Sequence, residues 1–372
     1  MFFSNQSSGG LGKVNYKKYD IFCDVIDNYG DAGFSLRLAR TLSEKDIEVR
    51  LFCNNLETLY TITDRQDLSN QLLKISTWPV CESYQPSDIV IEAFSCRLPD
   101  ILNKKLRENR SLVIELEYLT AEKFAEDCHG LSSSADGLNS YFFFPGFSNK
   151  TGGLIFEQKL LNKKRSLEEH IHQQTKINVS LFSYKNHNIT KIINNLLKAK
   201  AGVKITVFKG LALDNVNNIL NLNLKPGDQH ISGNLELKAV AMCNQNEYDE
   251  ILLSSDLNCV RGEESVVRAM LCGKPFLWHI YPQSEQAHIT KLNSLFDRMS
   301  EYLPEYQHDI EIIRTFNLEY NGVETKQHLP PLLEFLPKWK QVCDKWSLHL
   351  IKLGSLTDNL IKFINFITSK NS

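Results

Sequence analysis

The chain has almost no net charge: 42 lysines and arginines against 44 aspartates and glutamates leave a formal charge of −2 over 372 residues. A protein that binds nucleic acid or an acidic membrane through its overall field carries a clear basic excess, so neither partner is expected. Residues 1–15 are polar and glycine-rich and contain no apolar run long enough for a signal peptide or a membrane span. We therefore expect a cytoplasmic protein with no membrane and no nucleic acid as partner.

Disulfide and metal frameworks are also missing from the sequence. The nine cysteines are an odd number, and no two of them form a C-x-x-C pair, which argues against a disulfide scaffold and against a zinc ribbon. No D-x-D sequence occurs, and no histidine lies near the acidic turn described below. We therefore expect no bound metal.

Length and element pattern predict an α/β protein with two Rossmann-like, doubly wound domains that face each other across a cleft, followed by C-terminal helices. A chain of 372 residues exceeds what one core usually supports. Short apolar strands alternate with amphipathic helices in both halves, as in parallel sheets covered on both faces. The predicted strands are 19–26, 48–53, 88–93, 111–116, 176–184, 203–208, 256–260 and 275–280, and the main predicted helices are 33–45, 189–200, 264–271 and 284–299.

A shift in composition marks the connection between the halves. Residues 158–176 are rich in lysine, glutamine, glutamate and histidine and are predicted to be partly helical. We expect a first Rossmann-like domain over 1–175, a second over 176–350, and a helix over 351–372 that packs back on the first domain. Ligands of such sheets collect at the carboxyl ends of the strands, which places the predicted site in the cleft.

An acidic turn follows the first predicted strand. Asp24, Asp27 and Asp31 lie where a nucleotide-binding fold places glycines that cradle phosphate, and Gly30 and Gly33 let the chain bend. Carboxylates repel phosphate, but they can bind a metal, act as a general base or hold a cationic substrate. The alternative is structural: Asp31 caps the following helix and Asp27 closes an Asx turn, which is the commoner situation in loops of this kind.

A second turn, after predicted strand 256–260, suits a phosphate. Helix starts present backbone N–H groups to anions, and Ser265 adds a hydroxyl in the first turn. Arg261 and Arg268 are candidates to add positive charge, with a solvated position on the helix as the alternative for Arg268. Glu263 and Glu264 also suit a helix start through the helix dipole.

Three aromatic residues of the predicted second domain are candidates to lie near this second turn. Phe182 and Tyr184 end the first predicted strand of the second domain, and Tyr248 precedes strand 256–260. Aromatic faces beside a diphosphate site can stack on a nucleotide base, and packing in the core is the alternative.

Taken in order, these motifs resemble the elongation-factor-P arginine rhamnosyltransferases, which are inverting, metal-independent enzymes of the GT-B architecture. The segments that carry the resemblance are 22–33, 142–147, 150–153, 180–184, 256–263 and 278–283, within about 19–370. The resemblance implies that L-rhamnose moves from dTDP-β-L-rhamnose to an arginine side chain of translation elongation factor P. That modification would activate the factor for the rescue of ribosomes stalled at polyproline.

The resemblance also implies the site residues. Asp27, Asp31 and Glu263 match the acids that the family needs for activity. We expect Asp31 to act as the general base, Asp27 to orient the guanidinium and Glu263 to support the geometry across the cleft. The implied nucleotide-sugar-binding residues are Asn28, Tyr29, Gly30, Phe182, Tyr184, Tyr248, Arg261, Glu264, Ser265, Tyr281 and Gln283.

Two other functions stay open at this point. One is a GT-B sugar-nucleotide transferase that acts on a glycan or a lipid; an apolar and basic segment near the first domain would favour the lipid, and the sequence shows none. The other is a non-catalytic protein that binds a translation factor, against which the retained acids Asp27, Asp31 and Glu263 argue.

Overall fold

The computed structural model describes residues 17–26, 29–79, 82–94, 96–133, 137–169, 176–282 and 287–371. Within this part of the chain, strands and helices alternate as the sequence predicts, and the strands form two sheets. None of the described helices has the length and apolar character needed to cross a membrane.

The first sheet has the order β3-β2-β1-β4-β5-β7-β6 among the described residues and is parallel except for β6. Its strands are β1 (Lys18–Cys23), β2 (Glu48–Cys53), β3 (Leu73–Ser76), β4 (Ile89–Ala93), β5 (Leu112–Leu116), β6 (Ser132–Ser133) and β7 (Asn139–Phe143). The strand order reverses between β1 and β4, and such a reversal is where doubly wound sheets open a crevice for ligands.

The second sheet has the order β10-β11-β9-β8-β12-β13 in the described chain, with only β10 antiparallel to its neighbour. Its strands are β8 (Lys176–Leu181), β9 (Gly202–Phe208), β10 (Gln229–Ser232), β11 (Leu235–Val240), β12 (Leu257–Arg261) and β13 (Phe276–His279). Here the order reverses between β8 and β12. The two turns that the sequence singles out, after β1 and after β12, therefore each lie at a switch point.

The described helices are α1 (Tyr29–Ser43), α2 (Leu56–Ile62), α3 (Arg65–Ser69), α4 (Asp100–Asn109), α5 (Phe124–Cys128), α6 (Gln158–Glu169), α7 (Ile189–Leu197), α8 (Leu211–Leu220), α9 (Gln245–Ser254), α10 (Gly262–Cys272), α11 (Ala287–Tyr302), α12 (Gln307–Tyr320), α13 (Leu332–Lys352) and α14 (Leu356–Asn371). Helix α6 occupies much of the segment predicted as the connection. Gly273 ends α10 with φ +67°, as predicted for a C-terminal glycine.

Each sheet has its own apolar core, and the chain crosses between them. Helix α14 returns to the first sheet, where Leu356, Leu360 and Ile364 are fully buried in that core. In the opposite direction, Leu119 and Phe147, which come from the first half, pack in the core of the second sheet. The two halves are therefore joined by apolar contacts as well as by the connection.

Three element boundaries near the site differ clearly from the prediction. Strand β1 ends at Cys23, and α1 starts at Tyr29, four residues before the predicted start. The carboxylate of Asp31 accepts a hydrogen bond from the backbone N–H of Ile26 at 2.9 Å, which closes the turn and lets the helix begin before Gly33. Strand β8 ends at Leu181, three residues before its predicted end, and the N–H of Phe182 still donates to the carbonyl of Cys259 at 2.9 Å.

A buried ion network joins α1 to the second half. Arg37 of α1 has no exposed surface and donates to Glu157 at 2.8 Å and to Asp249 at 3.1 Å. Its Nε donates to Glu264 of α10 at 2.5 Å. Arg268 of α10 is equally buried, donates to Asp249 at 2.6 Å and lies 2.8 Å from Glu157. The two helices that begin at the switch points are thus held by shared carboxylates.

The network fixes the ionisation of its members. Burial alone would lower the pKa of Arg37, yet Asp249, Glu157 and Glu264 raise it well above its ordinary value. Burial likewise opposes the charged form of Glu157, but Arg268, Arg37 and Arg40 lower its pKa far below the usual range. Arg37 and Glu157 are therefore charged at neutral pH. Each needs its partners, because an unpaired charge inside a protein is costly.

We predict that Arg37→Met lowers the free energy of unfolding by about 3–5 kcal/mol, because it leaves buried carboxylates without their counter-charge. The control is Lys45→Met, which removes an exposed pair with Asp358 and should cost no more than about 1 kcal/mol. Urea titration followed by far-UV circular dichroism measures both. Equal effects of the two substitutions would contradict the role given to the network.

Candidate active site

The acidic turn after β1 is held by a residue that the sequence did not single out. Asn54 follows β2, and its side-chain oxygen accepts from the N–H of Val25 at 2.9 Å while its amide donates to the carboxylate of Asp24. Asp24 lies outside β1, and its carboxylate stabilises the turn through this hydrogen bond with Asn54. Asp27 and Asn28 lie outside the described residues, so their predicted roles stay predictions.

Asp31 is the third residue of α1, with only 3% of its surface exposed. Its bond to the Ile26 N–H matches part of the structural alternative, since the side chain closes the helix start. The same carboxylate, however, lines a cavity of about 570 Å³ in the cleft between the two halves. A group at a wall of that cavity meets whatever fills it, so Asp31 serves the turn and faces the site.

Glu263 faces the same cavity from the second half, in the first turn of α10. One of its oxygens accepts from the backbone N–H of Leu119 at 2.9 Å, and the other is paired with the ammonium of Lys291. Burial raises the pKa of Glu263, and Lys291 and the Leu119 N–H oppose that rise. Asp31, from across the cavity, adds to it. The predicted acids Asp31 and Glu263 are therefore brought together.

A second, smaller cavity of about 50 Å³ shares Gly30, Arg261 and Glu264 with the larger one and is also lined by residues that follow β8. It is lined by eight of the predicted nucleotide-sugar-binding residues: Tyr29, Gly30, Phe182, Tyr184, Tyr248, Arg261, Glu264 and Ser265. Tyr29 and Gly30 come from the first half and the other six from the second. The structure thus gathers most of the predicted set around one space.

Aromatic rings and one guanidinium form the walls of the smaller cavity. Phe182 and Tyr248 meet edge to face, with ring centroids 5.9 Å apart. The guanidinium of Arg261 lies 4.2 Å from the centroid of Phe182 and 4.8 Å from that of Tyr184, which is cation–π geometry. The planar guanidinium of Arg261 thus covers one face of the Phe182 ring. A nucleotide base needs an aromatic face of this kind.

Tyr281 stands at the rim of the larger cavity. It is 59% exposed, and its ring meets that of Tyr184 edge to face at 5.4 Å. Gln283 lies outside the described residues. Among those residues, no group of three or more histidines, cysteines, aspartates or glutamates is arranged to hold a metal ion.

The charged residues of α10 behave differently from the expectation. Arg268 was predicted to face a diphosphate or solvent, and both interpretations are wrong: it has no exposed surface and is bound to Asp249 and Glu157. Glu264 lines both cavities, but its carboxylate is engaged by Arg37. The part of Glu264 that suits an anion is therefore its backbone N–H at the helix start, where Arg261 supplies no side-chain cap.

Comparison with known proteins identifies the family. The model of the elongation factor P (EF-P) rhamnosyltransferase EarP matches residues 19–365. A protein-arginine rhamnosyltransferase of Pseudomonas aeruginosa is 34% identical over 93% of this chain and 98% of its own. Those of Shewanella oneidensis and Neisseria meningitidis are 33% and 31% identical, over 94% and 93% of this chain and 98% and 96% of theirs.

Solved structures agree on the fold. The structure that explains EarP-mediated arginine glycosylation of translation elongation factor EF-P superposes with a TM-score of 0.64 at 22% identity, over 93% of this chain and 98% of that one. A glycosyltransferase of kitacinnamycin superposes with a TM-score of 0.50 at 10% identity, over 93% and 98%. The two facing doubly wound sheets are thus the GT-B fold of a glycosyltransferase, and the chain belongs to the elongation factor P rhamnosyltransferase family.

Proposed function

We propose that this enzyme transfers L-rhamnose from dTDP-β-L-rhamnose to an arginine side chain of translation elongation factor P. The transfer inverts the anomeric centre, needs no metal, and activates the factor for the rescue of ribosomes stalled at polyproline. Membership of the family supports the reaction. The observation that carries the proposal is the shared cavity, in which Asp31 and Glu263 from two domains lie beside an aromatic pocket with Arg261.

The acidic side of the cavity suits the acceptor. A guanidinium keeps its proton, because its pKa lies above about 12. Carboxylates can hold it through two parallel hydrogen bonds and choose which nitrogen faces the sugar. We assign this orienting role to Asp27 and the general-base role to Asp31, which lines the cavity wall.

The order of events follows from the acidities. A carboxylate with an ordinary pKa of about 4 cannot remove the guanidinium proton in advance. The proton therefore passes to Asp31 either while the nitrogen attacks the anomeric carbon or just after that attack. The new bond is C–N, and the bond that breaks joins the anomeric carbon to the dTDP oxygen, which leaves with the electron pair. One attack from the opposite face turns the β-linked sugar into an α-rhamnosyl arginine.

The second domain suits the donor. The leaving dTDP gains negative charge, which the backbone N–H groups at the start of α10, Ser265 and the Arg261 guanidinium can stabilise. Phe182 and Tyr248 offer their rings to the thymine base. Tyr29 and Gly30 close the pocket from the first domain, so a bound donor would touch both halves.

We predict that Phe182→Ala weakens dTDP binding by roughly 5- to 150-fold, since stacking of a base on an aromatic ring contributes about 1–3 kcal/mol. Isothermal titration calorimetry measures the affinity. The control is Phe366→Ala, an exposed ring on α14 that lies in the part of the fold built on the first sheet. Unchanged affinity of a correctly folded Phe182→Ala protein would show that the ring does not bind the base.

We predict that the wild-type protein adds one deoxyhexose to elongation factor P in the presence of dTDP-rhamnose, and that Asp31→Asn lowers the rate at least about 100-fold, the usual weight of a general base. Intact-mass spectrometry follows the product in a buffer with EDTA and no added metal. Affinity for dTDP should stay nearly unchanged in Asp31→Asn.

The control for this assay lies in the same turn. Asp24→Asn keeps an oxygen that can accept from the Asn54 amide, so it should retain most of the transfer. A fully active Asp31→Asn protein would refute the base assignment. A wild-type protein that binds elongation factor P without a mass change would favour the non-catalytic alternative, and neither binding nor a mass change would favour a glycan or lipid acceptor.

A further inference from the structure

Lys291 is a charged residue in the larger cavity to which no role has been given so far. It lies in α11, its side chain is 19% exposed, and its ammonium is paired with the carboxylate of Glu263. It lines the cavity together with Asp31. A lysine at this depth has its charge partly removed from water, so the position of its ammonium is determined by the carboxylate with which it pairs.

Glu263 connects three elements through its two oxygens. The residue itself belongs to α10, one oxygen accepts from the Leu119 N–H in the segment after β5, and the other faces Lys291 on α11. The same first-domain segment is also held by α11 through Arg298, which donates to the Ala121 carbonyl at 3.0 Å. Glu263 and Lys291 therefore complete a contact between the two domains at the edge of the cavity.

The charges of three side chains at the cavity wall do not cancel. In their ionised forms Asp31 and Glu263 carry two negative charges against one positive charge on Lys291, which favours a cation at this wall. The other charged groups near Glu263 are Arg261, which stacks on Phe182, and Glu264, which is bound to Arg37. His288 precedes Lys291 on α11. A cationic acceptor side chain is thus a ligand that suits these three groups, and Asp27, to which the proposed function gives the acceptor, would add to the attraction.

We propose that Lys291 is a positioning residue for the transfer: its ammonium holds the Glu263 carboxylate, charged and oriented, between Leu119 and the cavity. The role rests on the proposed function, because the acceptor guanidinium is the cation that the remaining charge would attract. Lys291 acts through Glu263 and not on the reacting atoms.

Lys291 also affects how the rate of transfer depends on pH. Burial raises the pKa of Glu263, and Lys291 opposes the rise. Without Lys291 the pKa of Glu263 rises further, so the carboxylate takes up a proton at a higher pH. If transfer needs the charged form, activity is present above this pKa and is lost as the pH falls through it. The acid limb of the profile of kcat against pH then moves to higher pH in Lys291→Met.

The experiment compares Lys291→Met, Lys291→Arg, Glu263→Gln and the double variant Glu263→Gln/Lys291→Met. We expect Lys291→Met to lower kcat about 10-fold or more, which corresponds to about 1.4 kcal/mol, with dTDP affinity unchanged. Lys291→Arg should restore most of the rate. The double variant should be no slower than Glu263→Gln alone, because two residues of one contact do not act independently.

A readout without substrate separates this proposal from the proposed function. Carbon-13 NMR of labelled glutamate carboxyls follows Glu263, whose signal is assigned from its loss in Glu263→Gln. We expect this signal to titrate at a higher pH in Lys291→Met than in wild type. The control is Lys338→Met, a lysine on α13 that is 66% exposed. If wild type transfers no rhamnose, the proposed function is wrong, and the titration still tests Lys291. An unmoved Glu263 titration, a wild-type kcat in Lys291→Met, or additive losses in the double variant would overturn the proposal.

Discussion

Buried charge is the constraint on which this structure depends. Arg37 and Arg268 lie without exposed surface between Asp249 and Glu157, and each arginine shares both carboxylates. Removing any partner would leave a charge uncompensated in the interior, which costs several kcal/mol, so these groups admit few arrangements. Because one arginine lies on α1 and the other on α10, the network sets the relation between the two helices and so between the two domains.

Both helices begin at the site, which is why their relation matters for function. The start of α1 carries Asp31, and the start of α10 carries Glu263 and the backbone N–H groups that suit an anion. The carboxylate side of the cleft repels phosphate, and the side with Arg261 attracts it. The proposed reaction would use this difference, with the diphosphate of the donor near Arg261 and the cationic acceptor near Asp31.

The pattern of apolar residues made much of the fold predictable. Contacts between residues far apart in the sequence could not be predicted from it. Strand β2 has its predicted bounds because it is a short apolar stretch, in which Val49 and Leu51–Cys53 are buried. The predicted start of α1 is too late because the bond from the Ile26 N–H to Asp31 leaves no signal in a hydrophobic pattern. The predictions for Arg268 are wrong because one of its partners, Glu157, lies far back in the chain, just before the predicted connection. Lys291 had no local motif at all.

The most direct test of the account is a crystal structure of the protein with dTDP bound. We expect the diphosphate at the start of α10 beside Arg261, the base against Phe182, and the bonds between Arg37, Asp249 and Arg268 intact. That result would show that the network keeps the two helix starts in place while the donor binds. A diphosphate bound in the acidic turn beside Asp31, or a network broken apart in the complex, would contradict it.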